Sequence, residues 1–313
     1  DGLMTLFKAQ TVPESPVDGV VNALKLAANY YDVSLEDFLD NTDTLVHGTT
    51  VATNAVLTGA TAKTGLITNK GFEDLLLIGL GSKGKAAEDM FRSHMAYPEP
   101  FIPRYLTAGI TGRINAEGGE ETALDTDEVL VAANQMKKYA VEAVAISMIW
   151  SPVNPEHELI VSKIISNELP GIPFSISSEV NPVIREYERT STTAIDAALK
   201  PQFSKYVLDL EKRLGELGYH NDFLMINSNG GVMKVDELAA LPIYAIKSGP
   251  SIGPSAGLAL SDREGLGNNV LVCDMGGTSF DASLVTNGRI VATTDNQVGS
   301  YHYNVSCVEV NSI

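Results

Sequence analysis

Cysteine, tryptophan, basic residues and long apolar runs are all scarce in this chain, and each scarcity closes off a class of protein. Two cysteines in 313 residues, Cys273 and Cys307, cannot build a disulfide framework, so a reducing, cytoplasmic setting is expected. No uninterrupted apolar stretch approaches the ~18 residues that span a bilayer. Lys and Arg total 22 against 39 Asp and Glu, a formal net charge of −17, and such a field repels nucleic acid and anionic membrane. No zinc-type spacing of Cys, His and carboxylates occurs, so no structural metal is expected. The chain opens on Asp1 rather than Met, with nothing like a signal peptide, and reads as an internal segment of a longer polypeptide.

What is present is a folded composition, 44% apolar and 19% charged, at a length that corresponds to about two domains of ~150 residues. Residues 3–9 read as a strand leaving a tight Asp1-Gly2 turn. Val20, Leu24, Ala27, Ala28 and Tyr31 recur at helical spacing, which predicts a helix over 18–31. A strand, turn and helix follow over 44–55. Strands are predicted over 63–68 and again at 75–80, then loops over 81–119. A helix capped by Asp125 or Thr126 runs to 139, and an apolar strand covers 143–150. Asn154-Pro155-Glu156 opens another helix, and 174–176 is a strand. Alternating strands and helices imply a parallel or mixed α/β sheet. Beyond the Pro170, Pro173 and Pro182 cluster, a long helix over 183–217 bends near Pro201. Strands are predicted at 223–227, 270–274, 281–285, 289–293 and 308–313.

The chemistry concentrates at glycine-bearing turns. In Val270-Leu271-Val272-Cys273-Asp274-Met275-Gly276-Gly277-Thr278-Ser279-Phe280-Asp281 an apolar strand ends in a carboxylate, two glycines turn, two hydroxyls follow, and a second strand leaves. Glycines let backbone N–H groups approach phosphate oxygens, Thr278 and Ser279 add donors, and Asp274 can hold a hydrated Mg2+. An ordinary hairpin tip gives the same pattern, so both readings stand. Lys247-Ser248-Gly249-Pro250-Ser251-Ile252-Gly253 turns a strand into a helix. It offers either an anion site at the helix start or glycines for close packing. Asn227-Ser228-Asn229-Gly230-Gly231 is a third such turn, and ligands of open α/β sheets collect at strand ends. Residues 79–85 fit Gly-x-x-x-x-Gly-Lys, but Ala86 stands where a P-loop needs Ser or Thr, so a solvated basic loop is expected. His47-Gly48-Thr49-Thr50 with Asn54 is either a helix cap beside a half-buried imidazole or a substrate contact. The polar run over 185–193 is explained by surface ion pairs, and Cys273 by an inert place in the core.

These segments, together with Lys63-Thr64-Gly65-Leu66-Ile67-Thr68-Asn69-Lys70-Gly71-Phe72, Trp150-Ser151-Pro152-Val153-Asn154-Pro155-Glu156 and Glu186-Tyr187-Glu188-Arg189-Thr190, resemble the hydantoinase A/oxoprolinase family (N-methylhydantoinase A-like) collinearly over nearly the whole chain. The family includes ATP-binding subunits of acetone and acetophenone carboxylases. The resemblance implies α/β lobes of the actin/sugar kinase/heat-shock chaperone ATPase type (ribonuclease H-like), of which this chain is a partial segment. It divides the chain into an N-terminal α/β region over 1–176 and the first part of the ATPase domain over 177–313. It implies ATP-dependent phosphoryl transfer to a carbonyl, with a slight lean to a ketone carboxylase over a hydantoinase or 5-oxoprolinase-type cyclic amide hydrolase. The 313-residue segment alone is expected to be inactive, because a first phosphate loop would lie upstream of Asp1. The alternatives are a sugar-kinase-like small-molecule kinase and a non-catalytic nucleotide switch. The implied catalytic residues are Asp274 and His47, with Asp274 also the Mg2+ (or Mn2+) ligand through water. Gly276, Gly277, Thr278, Ser279, Asp281, Ser248, Gly249 and Gly253 would bind nucleotide. Thr49, Thr50, Asn54, Asn229, Gly230, Glu188 and Arg189 would bind substrate, and a hydantoinase B-like subunit would be the partner.

Overall fold

Pro16 can open a helix because its missing N–H would be unpaired there anyway. In the computed structural model, which describes residues 4–12, 14–79, 99–275 and 280–312, helix α1 runs Pro16–Tyr30. Ser34 caps the short α2 (Leu35–Asp40) by accepting from Asp37 N–H at 3.0 Å. Then come β1 (Thr44–His47), α3 (Val51–Thr58), β2 (Thr64–Asn69), α4 (Leu75–Ile78), β3 (Thr107–Ile110) and the hairpin β4 (Arg113–Ile114) with β5 (Glu120–Thr122). The Asp125 carboxylate accepts from Asp127 and Glu128 N–H and so starts α5 (Thr126–Lys138). The first half closes with β6 (Ala143–Ile146), α6 (Glu156–Glu168), β7 (Phe174–Ile176), α7 (Ser177–Val180) and α8 (Glu186–Leu199). Strands β3-β2-β6-β7 form a four-stranded parallel sheet in that order. Every residue of β2 and β6 is buried, as the unbroken apolar runs require when both faces are covered.

A π-helical turn over Lys200–Ser204 joins α8 to α9 (Lys205–Glu216). Pro201 has no N–H to continue the ladder, which is why the long predicted helix bends there. Next come β8 (Asp222–Ile226), β9 (Val232–Lys234), α10 (Val235–Ala240), α11 (Ser248–Ser251) and α12 (Gly253–Glu264). β1 pairs in parallel with β8, and β8 antiparallel with β9. The chain continues through β10 (Val270–Met275), β11 (Phe280–Thr286), β12 (Arg289–Ile290), β13 (Ala292–Thr293), β14 (Asn296–Val298), β15 (Tyr301–Tyr303), β16 (Cys307–Val308) and β17 (Val310–Ser312). β11 lies between β10 on one side and β12 and β17 on the other, while β13 pairs with β16 and β14 with β15.

Two apolar clusters share α8 as a wall. Ile195 and Leu199 pack with Leu39, Val56, Phe203 and Met225, whereas Ala194 and Ala197 pack with Leu66, Ile146 and Val161. Residues 189 to 199 of α8 are all buried, including four consecutive hydroxyls. Those hydroxyls are satisfied locally: Thr192 and Thr193 donate to the Glu188 and Arg189 carbonyls, Thr190 meets Ser147 at 2.7 Å, and Ser191 donates to the His302 carbonyl. Asp196, wholly buried, accepts from Ser175 and from Ile243 N–H, with Lys200 at 3.6 Å. Burial raises its pKa, and Lys200 opposes that shift.

Several expectations need correction. Residues 4–9 form no strand, since no neighbouring strand among the described residues pairs with them. Residues 75–78 are helix; a four-residue apolar run has the same pattern in either state. The strand expected over 143–150 stops at Ile146, and a loop follows in which Trp150 takes φ +61°. β3 is an unexpected sheet strand, hidden by Gly109 within it. The polar run over 189–193 is interior, not a solvated face. Cys273 is exposed, on the same face of β10 as the exposed Leu271 and Met275, and Cys307 is buried.

Candidate functional site

The site is built where β1 and β8, side by side and parallel, both end. After β1 the chain turns through Gly48, Thr49 and Thr50 into α3; after β8 it turns through Asn227 to Gly231. The junction into α11 closes over both turns. Ser248 Oγ donates to the Thr49 carbonyl at 3.0 Å, and Ser251 Oγ donates to the Asn227 carbonyl at 2.8 Å. Lys247 N–H donates to Thr53 Oγ1 at 2.9 Å, and a Cβ added at Gly249 would lie 3.2 Å from Thr50 Cγ2. Gly230 takes φ +80°, and a Cβ there would stand 2.9 Å from the Ser251 carbonyl. Only glycine satisfies both the backbone shape and the approach. Three turns that are far apart in sequence are thus one structure.

His47 is half-buried at the end of β1, with Nε2 2.8 Å from Tyr206 Oη and its ring tilted against Tyr206 and Phe223. Burial lowers its pKa to about 4, so the imidazole is neutral at physiological pH. Burial also raises the Tyr206 pKa, while a hydrogen bond with Thr49 opposes that shift. Thr50 Oγ1 accepts from the Asn54 amide at 3.2 Å, which holds the first turn of α3. In the β8 turn the Asn227 side chain accepts from Asn229 and Gly231 N–H, and the exposed Asn229 side chain also accepts from Gly231 N–H.

The β10–β11 hairpin is linked to this cluster through α12. A Cβ at Gly257 would come 2.4 Å from Val272 Cγ2 and 3.5 Å from Val270, and one at Gly253 would meet Val272 at 3.6 Å. The helix therefore runs antiparallel to β10, with its first turn toward the strand's C-terminal end. Alternation puts Asp274 on the same face as Val270 and Val272, the face that α12 covers. Asp281 stands directly opposite Asp274 in the ladder. Like charges opposite each other are unfavourable alone, and an oxygen-only pair suits a hard divalent cation. Gly276, Gly277, Thr278 and Ser279 lie outside the described residues, as does most of the 79–85 segment.

Glu188 and Arg189 are elsewhere. Glu188 is half-buried in the first turn of α8. Arg189 is 1% exposed and donates to Ser177 Oγ and to the Met148, Val183 and Ile184 carbonyls, none of them in the three turns. Its expected role in substrate binding gives way to that of an interior clasp, because its bonded donors all point to protein atoms. Gly253 likewise packs against Val272. Tyr206 meets His47, and Thr53 ties the Lys247 backbone to α3. Asn227 carries the Asx-turn signal of its Asn-Ser-Asn-Gly-Gly run, whereas nothing local marks Tyr206.

Comparison with known proteins sets this geometry in context. The family model for the hydantoinase/oxoprolinase N-terminal region matches residues 1–169, and that for hydantoinase/oxoprolinase matches residues 189–313. The caprolactamase subunit alpha of Pseudomonas jessenii is 35% identical, aligned over 100% of this chain and 44% of its own length. The acetophenone carboxylase gamma subunit of Aromatoleum aromaticum is 31% identical over 93% of this chain and 40% of its own. The crystal structure of the ATP-dependent caprolactamase from Pseudomonas jessenii superposes with a TM-score of 0.89, over 100% of this chain and 45% of that one. A nucleotide-free acetone carboxylase structure gives 0.88 at 28% identity, over 98% and 44%. The chain therefore spans less than half the length of these relatives.

Proposed function

The chain belongs to the hydantoinase/oxoprolinase family, and on that premise we propose that it carries part of an ATP-dependent carbonyl-activating site. The reaction assigned is transfer of the γ-phosphoryl group to the oxygen of a ketone enolate or a cyclic amide. The new bond is oxygen to γ-phosphorus, the bond broken joins γ-phosphorus to the β,γ-bridging oxygen, and ADP leaves with that oxygen. The phosphorylated tautomer is then open to hydrolysis or carboxylation.

One observation carries the reading: the strand-end turns at Thr49 and Asn227 are both bonded to the helix junction at Ser248–Ser251, and α12 packs on the end of β10. Ser248 and Gly249 would meet the nucleotide beside Thr49 and Thr50 through their backbone, since the buried Ser248 hydroxyl is taken by the Thr49 carbonyl. Asp274 and Asp281 would hold Mg2+ or Mn2+, which screens phosphate charge in a protein of net −17. His47, at a pKa of about 4, is too weakly basic to take a proton at neutral pH. It acts instead as a neutral hydrogen-bonding group at the carbonyl, oriented by Tyr206. Asn54, Asn229 and the Gly230 turn border the space for substrate. A second subunit, of hydantoinase B type, is the proposed partner, in keeping with relatives named as alpha and gamma subunits.

The test is ATP turnover by the full-length polypeptide with its co-purifying subunit. Lactam, hydantoin or oxoproline is offered in one arm, and acetone or acetophenone with bicarbonate in the other. Stimulation in one arm assigns the substrate class. A stable phosphorylated product without free phosphate points to a kinase instead, and nucleotide binding with no stimulation points to a switch. Asp274→Asn should lower turnover about 100-fold or more while leaving the unfolding midpoint unchanged; unaltered turnover removes the phosphate-loop assignment.

A further inference from the structure

Lys247 stands at the point where the three turns meet, in a backbone shape that an ordinary side chain avoids. Its φ is +58° and ψ 18°, left-handed, although it is neither glycine nor asparagine. The surroundings over-determine that shape. Its N–H is tied to Thr53 Oγ1, Ile246 before it is wholly buried, and Ser248 after it is buried with its hydroxyl on the Thr49 carbonyl. Strain kept in place by so many contacts is characteristic of a residue whose side chain must be aimed.

The chain holds 39 acidic residues, yet among the described residues Lys247 makes no ion pair. Burial pushes the Cys307 thiol up, and hydrogen bonds with Tyr303 and Ser228 and then the charge of Lys247 oppose that shift. Cys307 adjoins Val308, whose N–H donates to the Ser228 carbonyl, so the charge lies on the side of the β8 turn. The other cation considered for this site, Arg189, is consumed by carbonyls elsewhere. A compact, half-buried ammonium with three donors suits an oxyanion.

We propose that Lys247 is the cation that neutralises the phosphate chain of the bound nucleotide, an assignment that rests on the nucleotide reading above. The left-handed turn places Lys247 beside the Thr49 and Ser248 turns, and the protein carries the strain for that placement.

The experiment uses the full-length polypeptide with any co-purifying subunit. MgATP affinity is read by equilibrium binding of a fluorescent ATP analogue, and unfolding midpoints are read without nucleotide. K247M and K247G each weaken MgATP binding by about ten-fold or more, whereas K247R stays within about three-fold. K247G alone raises the unfolding midpoint, by about 2–4 °C, because glycine adopts the left-handed shape freely. Weaker binding in a variant that is more stable cannot be ascribed to misfolding. If wild type binds MgATP and K247M binds it equally well, the assignment of Lys247 is overturned while the nucleotide reading stands. If wild type does not bind MgATP, both fall. If K247G gains no stability, the claim of stored strain is wrong.

Discussion

Replacing Arg189 by methionine separates two roles that the sequence leaves open for this residue. The guanidinium is 1% exposed and donates to Ser177 Oγ at 3.1 Å, to the Val183 and Ile184 carbonyls at 2.5 and 3.1 Å, and to the Met148 carbonyl at 2.9 Å. Glu158, wholly buried, completes the cluster by accepting from Met148 N–H, Ser177 Oγ and Ser178 N–H at 2.6–2.9 Å. Burial lowers the Arg189 pKa, and the charges of Glu158 and then Glu186 oppose that shift. Methionine roughly fills the volume of the aliphatic stem but leaves three carbonyls short of a donor and removes the cation that Glu158 faces across the Ser177 hydroxyl. Breaking one side of a buried charge pair costs about 3–5 kcal/mol, and the orphaned carbonyls overlap with that figure rather than adding to it. Against a total of about 5–15 kcal/mol, R189M should therefore lose about a fifth or more of the stability. Urea unfolding followed by circular dichroism reads this as a lower midpoint at unchanged slope. Glu158→Gln in the R189M background removes the unpaired charge and should recover part of the loss. An R189M protein as stable as wild type, but defective in substrate binding, would refute the clasp and restore the substrate role.

Three further outcomes follow from named contacts. Gly257→Ala places a methyl 2.4 Å from Val272 Cγ2 and should cost about 1–3 kcal/mol, recovered in part by Val272→Ala; additive double-mutant unfolding energies would sever α12 from β10. His47 has a folded pKa of about 4 against an ordinary 6.5, so between those pH values the unfolded chain binds more protons and stability falls as pH is lowered. His47→Gln should flatten that part of a stability profile measured from pH 4 to 8, and identical slopes would contradict the burial of a neutral imidazole. In the native 313-residue chain Cys273 should react at once with a thiol reagent and Cys307 only on unfolding, so two fast thiols, or none, would contradict the exposure of the Leu271-Cys273-Met275 face.

Local chemistry was legible wherever one residue type has one structural use. The capping by Asp125, the break at Pro201 and the buried strands β2 and β6 follow from donors, a missing N–H and apolar runs. Short or mixed patterns misled. Residues 75–78 satisfy either period, and β3 carries a glycine that obscures it. Thr190 to Thr193 look like surface until their hydroxyls are seen bonded inside.

The sequence by itself determined that this is an α/β protein with glycine-bearing turns at its strand ends, and that its motifs are those of one family. Periodicity, capping and turn chemistry act over a few residues and are written in adjacent letters. Only the tertiary structure decided that the segments at Thr49, Asn227 and Ser248 are bonded together, that Tyr206 meets His47, that Arg189 faces inward, and that Lys247 makes no ion pair among the described residues. Those outcomes depend on which strands pair and which helix packs on which face. Contacts between residues up to 199 positions apart leave no periodic trace in the chain that makes them.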